Sequence, residues 1–170
     1  MQFARIQLCM STLDRELRKQ LSALLKKAQA HATYDDAVKG MPVDLRGVVP
    51  DGLPYSVWQL IEHIRIAQRD ILDFSDNFDG SYKELNWPDD YWPKSPEPPS
   101  DGAWQKSLDD YHTDLARFEK LIEERNLAEP FPWDKEKNLL REAFLIADHV
   151  AYHVGEIIAV RRLLGAWESK

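Results

Sequence analysis

Apolar side chains recur along the chain at steps of three and four, and the recurrence falls into four long blocks. In the first, from Thr12 to His31, Leu13, Leu17, Leu21, Leu24 and Ala28 share one helical face. A short helical piece follows, with Thr33 as N-cap and Asp36 three residues on; Gly40 and then Pro42 stop it. The second long block opens on a capping box, Ser56 with Gln59, and Pro54 stands just outside. Its stripe is Val57, Leu60, Ile61, Ile64, Ala67, Ile71 and Phe74, fading near Asp76 and Asn77. The third opens at Ser100 and carries Trp104, Leu108, Tyr111, Leu115, Phe118 and Ile122, a bundle-type seam that ends near Asn126. The fourth runs from about Asn138 to Leu164, with Gly165 as its stop and Phe144, Leu145, Ile146, Ile157, Val160 and Leu164 as its apolar positions. No strand-like alternation competes, and no repeat of fixed period is visible. The predicted class is all-α, one domain over residues 1–170.

Between the second and third helices lies a long connection, Asp79 to Pro99, holding Trp87, Tyr91, Trp92 and the prolines 88, 93, 96, 98 and 99. Proline stiffens such a segment, and its aromatic rings favour burial. It reads either as a strap across the bundle or as one wall of a pocket. In both cases it allows the third helix to run parallel to the second, which a short turn would forbid.

Composition narrows the class. The chain has 170 residues, 44% hydrophobic and 30% charged, with 6 Trp, 6 Tyr and 6 Phe, so it can bury a full core and is not a disordered chain. A mean hydropathy of -0.52 argues against a membrane span. The net charge of -7 and the absence of a basic stripe argue against nucleic acid and anionic membranes as partners. One cysteine, Cys9, and no secretory pattern in the first residues predict a cytoplasmic protein.

The chemistry concentrates in the histidines. His149 and His153 stand four residues apart on the fourth helix, one turn from each other on the same face, so they can share one metal ion. Leu145, His149, His153, Glu156, Val160 and Leu164 fall in one narrow sector of that helix. Two imidazoles and a carboxylate on an apolar stripe need satisfaction, which a divalent cation supplies. The best third ligand is His63, early in the second helix and beside its stripe; His31 and His112 are weaker candidates. Glu156 can instead pair with Arg161 or Arg162. No Glu follows the first His, so the zincin protease motif is absent.

The run Ala147-Asp148-His149-Val150-Ala151-Tyr152-His153-Val154-Gly155-Glu156, followed by Arg161-Arg162-Leu163-Leu164-Gly165, resembles the last helix of the DinB-like superfamily, which includes the YfiT-like metal-dependent hydrolases. The segment Pro54 to Ile64, with Trp58 and His63, resembles that family's second helix. The resemblance implies a four-helix bundle in up-down-down-up order and a three-histidine metal site, here His63, His149 and His153. It implies zinc or nickel as the ion, with water completing the shell, and a homodimer. Some relatives are S-transferases or isomerases that use low-molecular-weight thiols. Glu156 departs from the family, where Gln is common; a carboxylate there is either a fourth ligand or a general base.

Three readings compete at this stage. One is an enzyme whose metal activates a thiol or water, with Glu156 as catalytic base or orienting group and Trp87, Tyr91 and Trp92 as an apolar wall for a small-molecule substrate. Tyr152 is expected to be a core residue, or else a hydrogen-bond donor in the site. Another is a metal- or small-ligand-binding stress protein without turnover, which a closed four-ligand shell would favour. The third is a bundle that simply dimerises with vestigial histidines, which metal-free protein of unchanged stability would favour.

Overall fold

The computed structural model describes residues 11–27 and 29–167. Cys9, the stretch from Met1 to Met10, and Ala28 of the first stripe lie outside the described residues.

The helices form where the caps place them. They are α1 (Thr12–Lys26), α2 (Tyr34–Val38), α3 (Val57–Ser75), α4 (Asp101–Glu124) and α5 (Leu139–Leu163). Ser11, Thr33, Ser56, Ser100 and Asn138 each accept a backbone N–H from the first turn. Thr33/Asp36 and Ser56/Gln59 close full capping boxes. Gly165, at φ +69°, ends α5 in the left-handed conformation that a glycine tolerates.

Contacts between the helices fix their directions. Arg46, whose carbonyl accepts the Trp58 N–H at the start of α3, pairs with Asp101 at the start of α4 at 3.2 Å. Further along, Gln68 donates to the Tyr111 carbonyl at 2.8 Å and Arg69 meets Asp114 at 3.0 Å. Residue numbers rise together, so α3 and α4 are parallel. Along α1 and α4 they run oppositely: Arg18 donates to the Ile122 carbonyl, and Ser22 donates to Glu119 at 2.9 Å. The start of α5 packs with the ends of α3 and α4, through Leu139, Ala143 and Ile146 against Leu72, Phe118 and Ile122. Its later turns pack with their starts, through Val154, Ile157 and Val160 against Val57, Ile61 and Trp104. The order of the four long helices is therefore up-down-down-up, as the sequence predicts.

The connection after α3 is a strap that returns to the start of α3. Tyr82 and Tyr91 both donate to Asp70, at 3.0 and 2.7 Å. The Gln59 amide donates to the Pro93 carbonyl at 3.2 Å, and Ser56 Oγ donates to the Pro96 carbonyl at 2.6 Å. At the far end Gly47 admits Glu97: a Cβ on Gly47 would lie 2.9 Å from the Glu97 Cα. The strap thus delivers the chain to Ser100 beside Arg46, and α4 can start parallel to α3.

Three expectations from the sequence need correction. α1 ends at Lys26 rather than His31, and of its stripe Leu21 is buried while Leu13 and Leu24 are exposed. A short hairpin, β1 (Pro130–Phe131) with β2 (Asp134–Asn138), joins α4 to α5; its second strand reads Asp-Lys-Glu-Lys-Asn and offers no apolar alternation to detect. Phe144 on α5 is exposed. By length and composition alone α5 also passes as a membrane-crossing helix, a test that a core helix passes as well, and it packs here against α1, α2 and α3.

Candidate metal centre

His63 sits in the second turn of α3, where the Ser56 cap fixes the helix start and the stripe Leu60, Ile61, Ile64 turns inward. His149 and His153 sit on consecutive turns of α5, antiparallel to α3. The crossing brings the three imidazoles together: ring centroids are 4.8 Å (63–149), 4.5 Å (63–153) and 4.5 Å (149–153) apart. One ligand atom from each lies within 4.8 Å of the others, so the group could hold a metal ion. His63 and His153 are buried and His149 is half-buried.

Outer hydrogen bonds set which nitrogen each ring offers. His63 Nδ1 donates to the Tyr91 carbonyl at 3.0 Å, and His153 Nδ1 donates to Glu156 Oε2 at 2.6 Å. Each ring therefore keeps Nε2 as its lone-pair nitrogen. His63 Nε2 and His149 Nε2 face each other at 3.0 Å. Two imidazole nitrogens on a tetrahedral zinc are about 3.3 Å apart, from a Zn–N bond of about 2.0–2.1 Å. The spacing thus suits two ligands of one cation.

Electrostatics point the same way. Burial pushes His63 down to about 4, with the neighbouring His153 adding to the effect and the Tyr91 carbonyl opposing it. Burial, then His153 and His63, push His149 down to about 3. Both rings are neutral at pH 7, the state a metal requires.

The strap forms the wall around His63. The Trp92 ring stacks on His63 at 3.8 Å with a 4° interplanar angle, and Tyr55 stacks on the other face of Trp92 at 3.8 Å. Tyr91 contributes its carbonyl rather than its ring. Trp87 lies 6.5 Å from His63 and is 71% exposed. The connection is thus a strap packed on the bundle, with Trp92 against His63; the main cavities lie elsewhere.

Glu156 does not pair with Arg161. That guanidinium is buried and donates to the carbonyls of Ala37, Lys39 and Ala166. Glu156 holds the outer nitrogen of His153, on the side of the ring away from the cluster. Tyr152 corrects another expectation: it is 64% exposed, not in the core, and its ring meets His153 edge-on at 4.9 Å. His31 bonds the Ala32 carbonyl, and His112 pairs with Asp35 at 2.9 Å, both outside the cluster. Sequence reasoning missed Trp92 as the ring on His63 and the Tyr91 carbonyl. The Tyr91-Trp92-Pro93 triplet was a signal for the first; a main-chain acceptor leaves no signal.

The bundle brings three buried or half-buried histidines together from two antiparallel helices, a group of the class that could hold a metal ion. The chain matches the DinB superfamily over residues 17–157, and it belongs to that superfamily. No curated protein and no solved structure matches it.

Proposed function

We propose that the chain is a metal-dependent enzyme of the DinB superfamily, in which His63, His149 and His153 hold zinc or nickel through Nε2 and the site acts on a small molecule. The observation that carries this reading is the outer hydrogen bonding of His63 and His153, which leaves a lone pair of each ring toward the cluster. A divalent cation held there would supply Lewis acidity, lowering the pKa of a thiol or water at its remaining position. A thiol gives S-transferase-like chemistry and water gives hydrolase-like chemistry; a low-molecular-weight thiol would be the co-substrate of the first.

The residues divide the work. Glu156 keeps the His153 Nδ1 proton in place and so orients that ring. Its carboxylate lies behind the His153 ring, away from the cluster, so its proposed part is to support that ligand rather than to act as the base at the ion. Trp92 covers one face of His63 and excludes water from that side. The Tyr152 phenol, exposed next to His153, is placed to donate to a substrate.

A second reading, a metal-binding protein without turnover, draws on the shape of the surface. The cavity of about 320 Å³ between α1, α2, α4 and α5, and the 480 Å³ cavity along α3 and the strap, are lined by other residues and not by the three histidines. Assay of zinc- and nickel-loaded protein against thiol–electrophile pairs and simple ester or amide substrates separates the two. The enzyme reading expects turnover that is lost in His149→Ala. Stoichiometric metal with no turnover in any pairing favours the second reading.

A further inference from the structure

His63 is held to the strap through one residue, and that residue has a second anchor. Among the described residues, two hydrogen bonds tie residues 83–91 to α3, and Tyr91 makes both. Its carbonyl accepts the Nδ1–H of His63 at 3.0 Å, and its phenol donates to Asp70 Oδ2 at 2.7 Å. The other hydrogen bonds of this stretch are local, between Asn86 and Asp90 and from the Tyr91 N–H to the Pro88 carbonyl. The next residue is Trp92, whose ring lies on His63 at 3.8 Å. Whatever fixes Tyr91 therefore fixes both the acceptor on the His63 ring and the ring that covers it.

Asp70 is placed to do this. It stands seven residues after His63, two turns along the same face of α3 and about 10 Å further along the axis. Among the described residues its carboxylate has no ion-pair partner, whereas Glu62 and Asp73 of the same helix pair with Arg65 and Arg69. Both of its oxygens go to phenols instead, Oδ1 to Tyr82 at 3.0 Å and Oδ2 to Tyr91 at 2.7 Å. A hydroxyl on an ionised carboxylate makes a charge-assisted bond, stronger than one between neutral groups. On the other side of His63 the Gln59 amide holds the Pro93 carbonyl at 3.2 Å. Tyr91 and Trp92 are thus fixed from both directions along α3. Tyr82 uses the same carboxylate as Tyr91 but makes no hydrogen bond to His63.

We propose that Asp70 is a positioning residue for His63: through the Tyr91 phenol it sets the Tyr91 carbonyl, and with it the tautomer and rotation of the His63 ring. A ring held in this way presents Nε2 to the cluster without having to reorient. The consequence for an ion rests on the metal-centre reading above; the tautomer of His63 is a property of the chain alone.

The test compares Tyr91→Phe with Tyr82→Phe in the full chain. Each removes one phenol oxygen from Asp70 and keeps the aromatic ring. Zinc affinity is read by competition with a chromophoric chelator. The His63 imidazole is read in metal-free protein by nitrogen–proton NMR, its signals identified by their loss in His63→Gln. Tyr91→Phe lowers zinc affinity about tenfold, the low end for an outer partner of a ligating histidine. In the same variant the His63 Nδ1–H exchanges faster with water or gives way to the Nε2–H tautomer. Tyr82→Phe leaves both readings unchanged. Asp70→Ala reproduces Tyr91→Phe, and Asp70→Asn, whose amide oxygen still accepts from a phenol, recovers part of the loss. Unaltered helical circular dichroism in each variant separates these effects from loss of fold. Unaltered affinity and unaltered imidazole signals in Tyr91→Phe overturn the proposal. An equal loss in Tyr82→Phe overturns it too, because the strap is then merely loosened. No zinc bound by the unaltered protein defeats the metal-centre reading alone, and the imidazole signals of Tyr91→Phe then decide for or against Asp70.

Discussion

Nε2 of His149 lies 3.0 Å from Nε2 of His63. The Tyr91 carbonyl already accepts the Nδ1–H of His63, so neutral His63 presents its Nε2 lone pair at this contact. Without a cation, the contact is satisfied only by a proton on His149 Nε2. A divalent ion could take the place of that proton and use both lone pairs. The strap and the two helices thus build a cluster whose geometry could hold a metal ion.

Glu156→Gln tests the outer support of His153. Glutamine still accepts from Nδ1, but the charge that strengthens the bond is gone. Metal affinity falls about 10- to 100-fold, read by competition with a chromophoric chelator, while the number of sites stays the same. Unchanged affinity would remove Glu156 from the site's support.

The depressed histidines make a prediction for the metal-free protein. Their ordinary value is 6.5, and the fold lowers His63 to about 4 and His149 to about 3. Between these values the unfolded chain takes up protons that the folded chain refuses. Stability is therefore full above about pH 6.5 and declines as the pH falls toward 4 and then 3. Denaturant unfolding at a series of pH values shows this decline, and His149→Gln flattens part of it. Identical slopes in the two proteins would show that His149 is not held neutral by the fold.

Trp92→Ala removes the ring stacked between Tyr55 and His63. The loss of packing destabilises the protein by about 2 kcal/mol, and the freed His63 face weakens metal binding. Trp92→Phe recovers part of both. Full retention of affinity in Trp92→Ala would mean the strap is scaffold only.

Ser56→Ala separates the helix cap from the histidines. Ser56 is fully buried, accepts from the Gln59 backbone and donates to the Pro96 carbonyl. Its loss costs about 1–2 kcal/mol in thermal or denaturant unfolding and leaves metal stoichiometry at one per chain.

Helix starts were legible because caps are local: Ser56 with Gln59, Ser100 and Asn138 stand where their helices begin. The length of the connection allows the parallel run of α3 and α4; helical spacing pairs His149 with His153 and leaves His63 as the best third candidate, and the helix order and full three-histidine set come from the family resemblance. What failed depended on partners distant in sequence. Leu13, Leu24 and Phe144 fit an apolar stripe but lie beyond the edge of the core, because periodicity marks a face and not where its neighbour stops. Tyr152 stands one residue before a buried His153, and a shift of 100° carries it to the surface. The β2 strand pairs with β1 yet reads Asp-Lys-Glu-Lys-Asn, so no apolar alternation marks it in the sequence. The bond from Glu156 to His153 fits a three-residue step, yet choosing it over Arg161 needed the carbonyls of Ala37 and Lys39, which no side-chain pattern reveals.

The central claim is that three histidines hold one cation. Isothermal titration of metal-free, untagged protein with zinc and with nickel, checked by elemental analysis after desalting, tests it most directly. One ion per chain in the unaltered protein, with none retained in His63→Ala, His149→Ala or His153→Ala of unchanged helicity, is the predicted result. Retention of stoichiometric metal by any of these variants, or no binding by the unaltered protein to either ion, would contradict it.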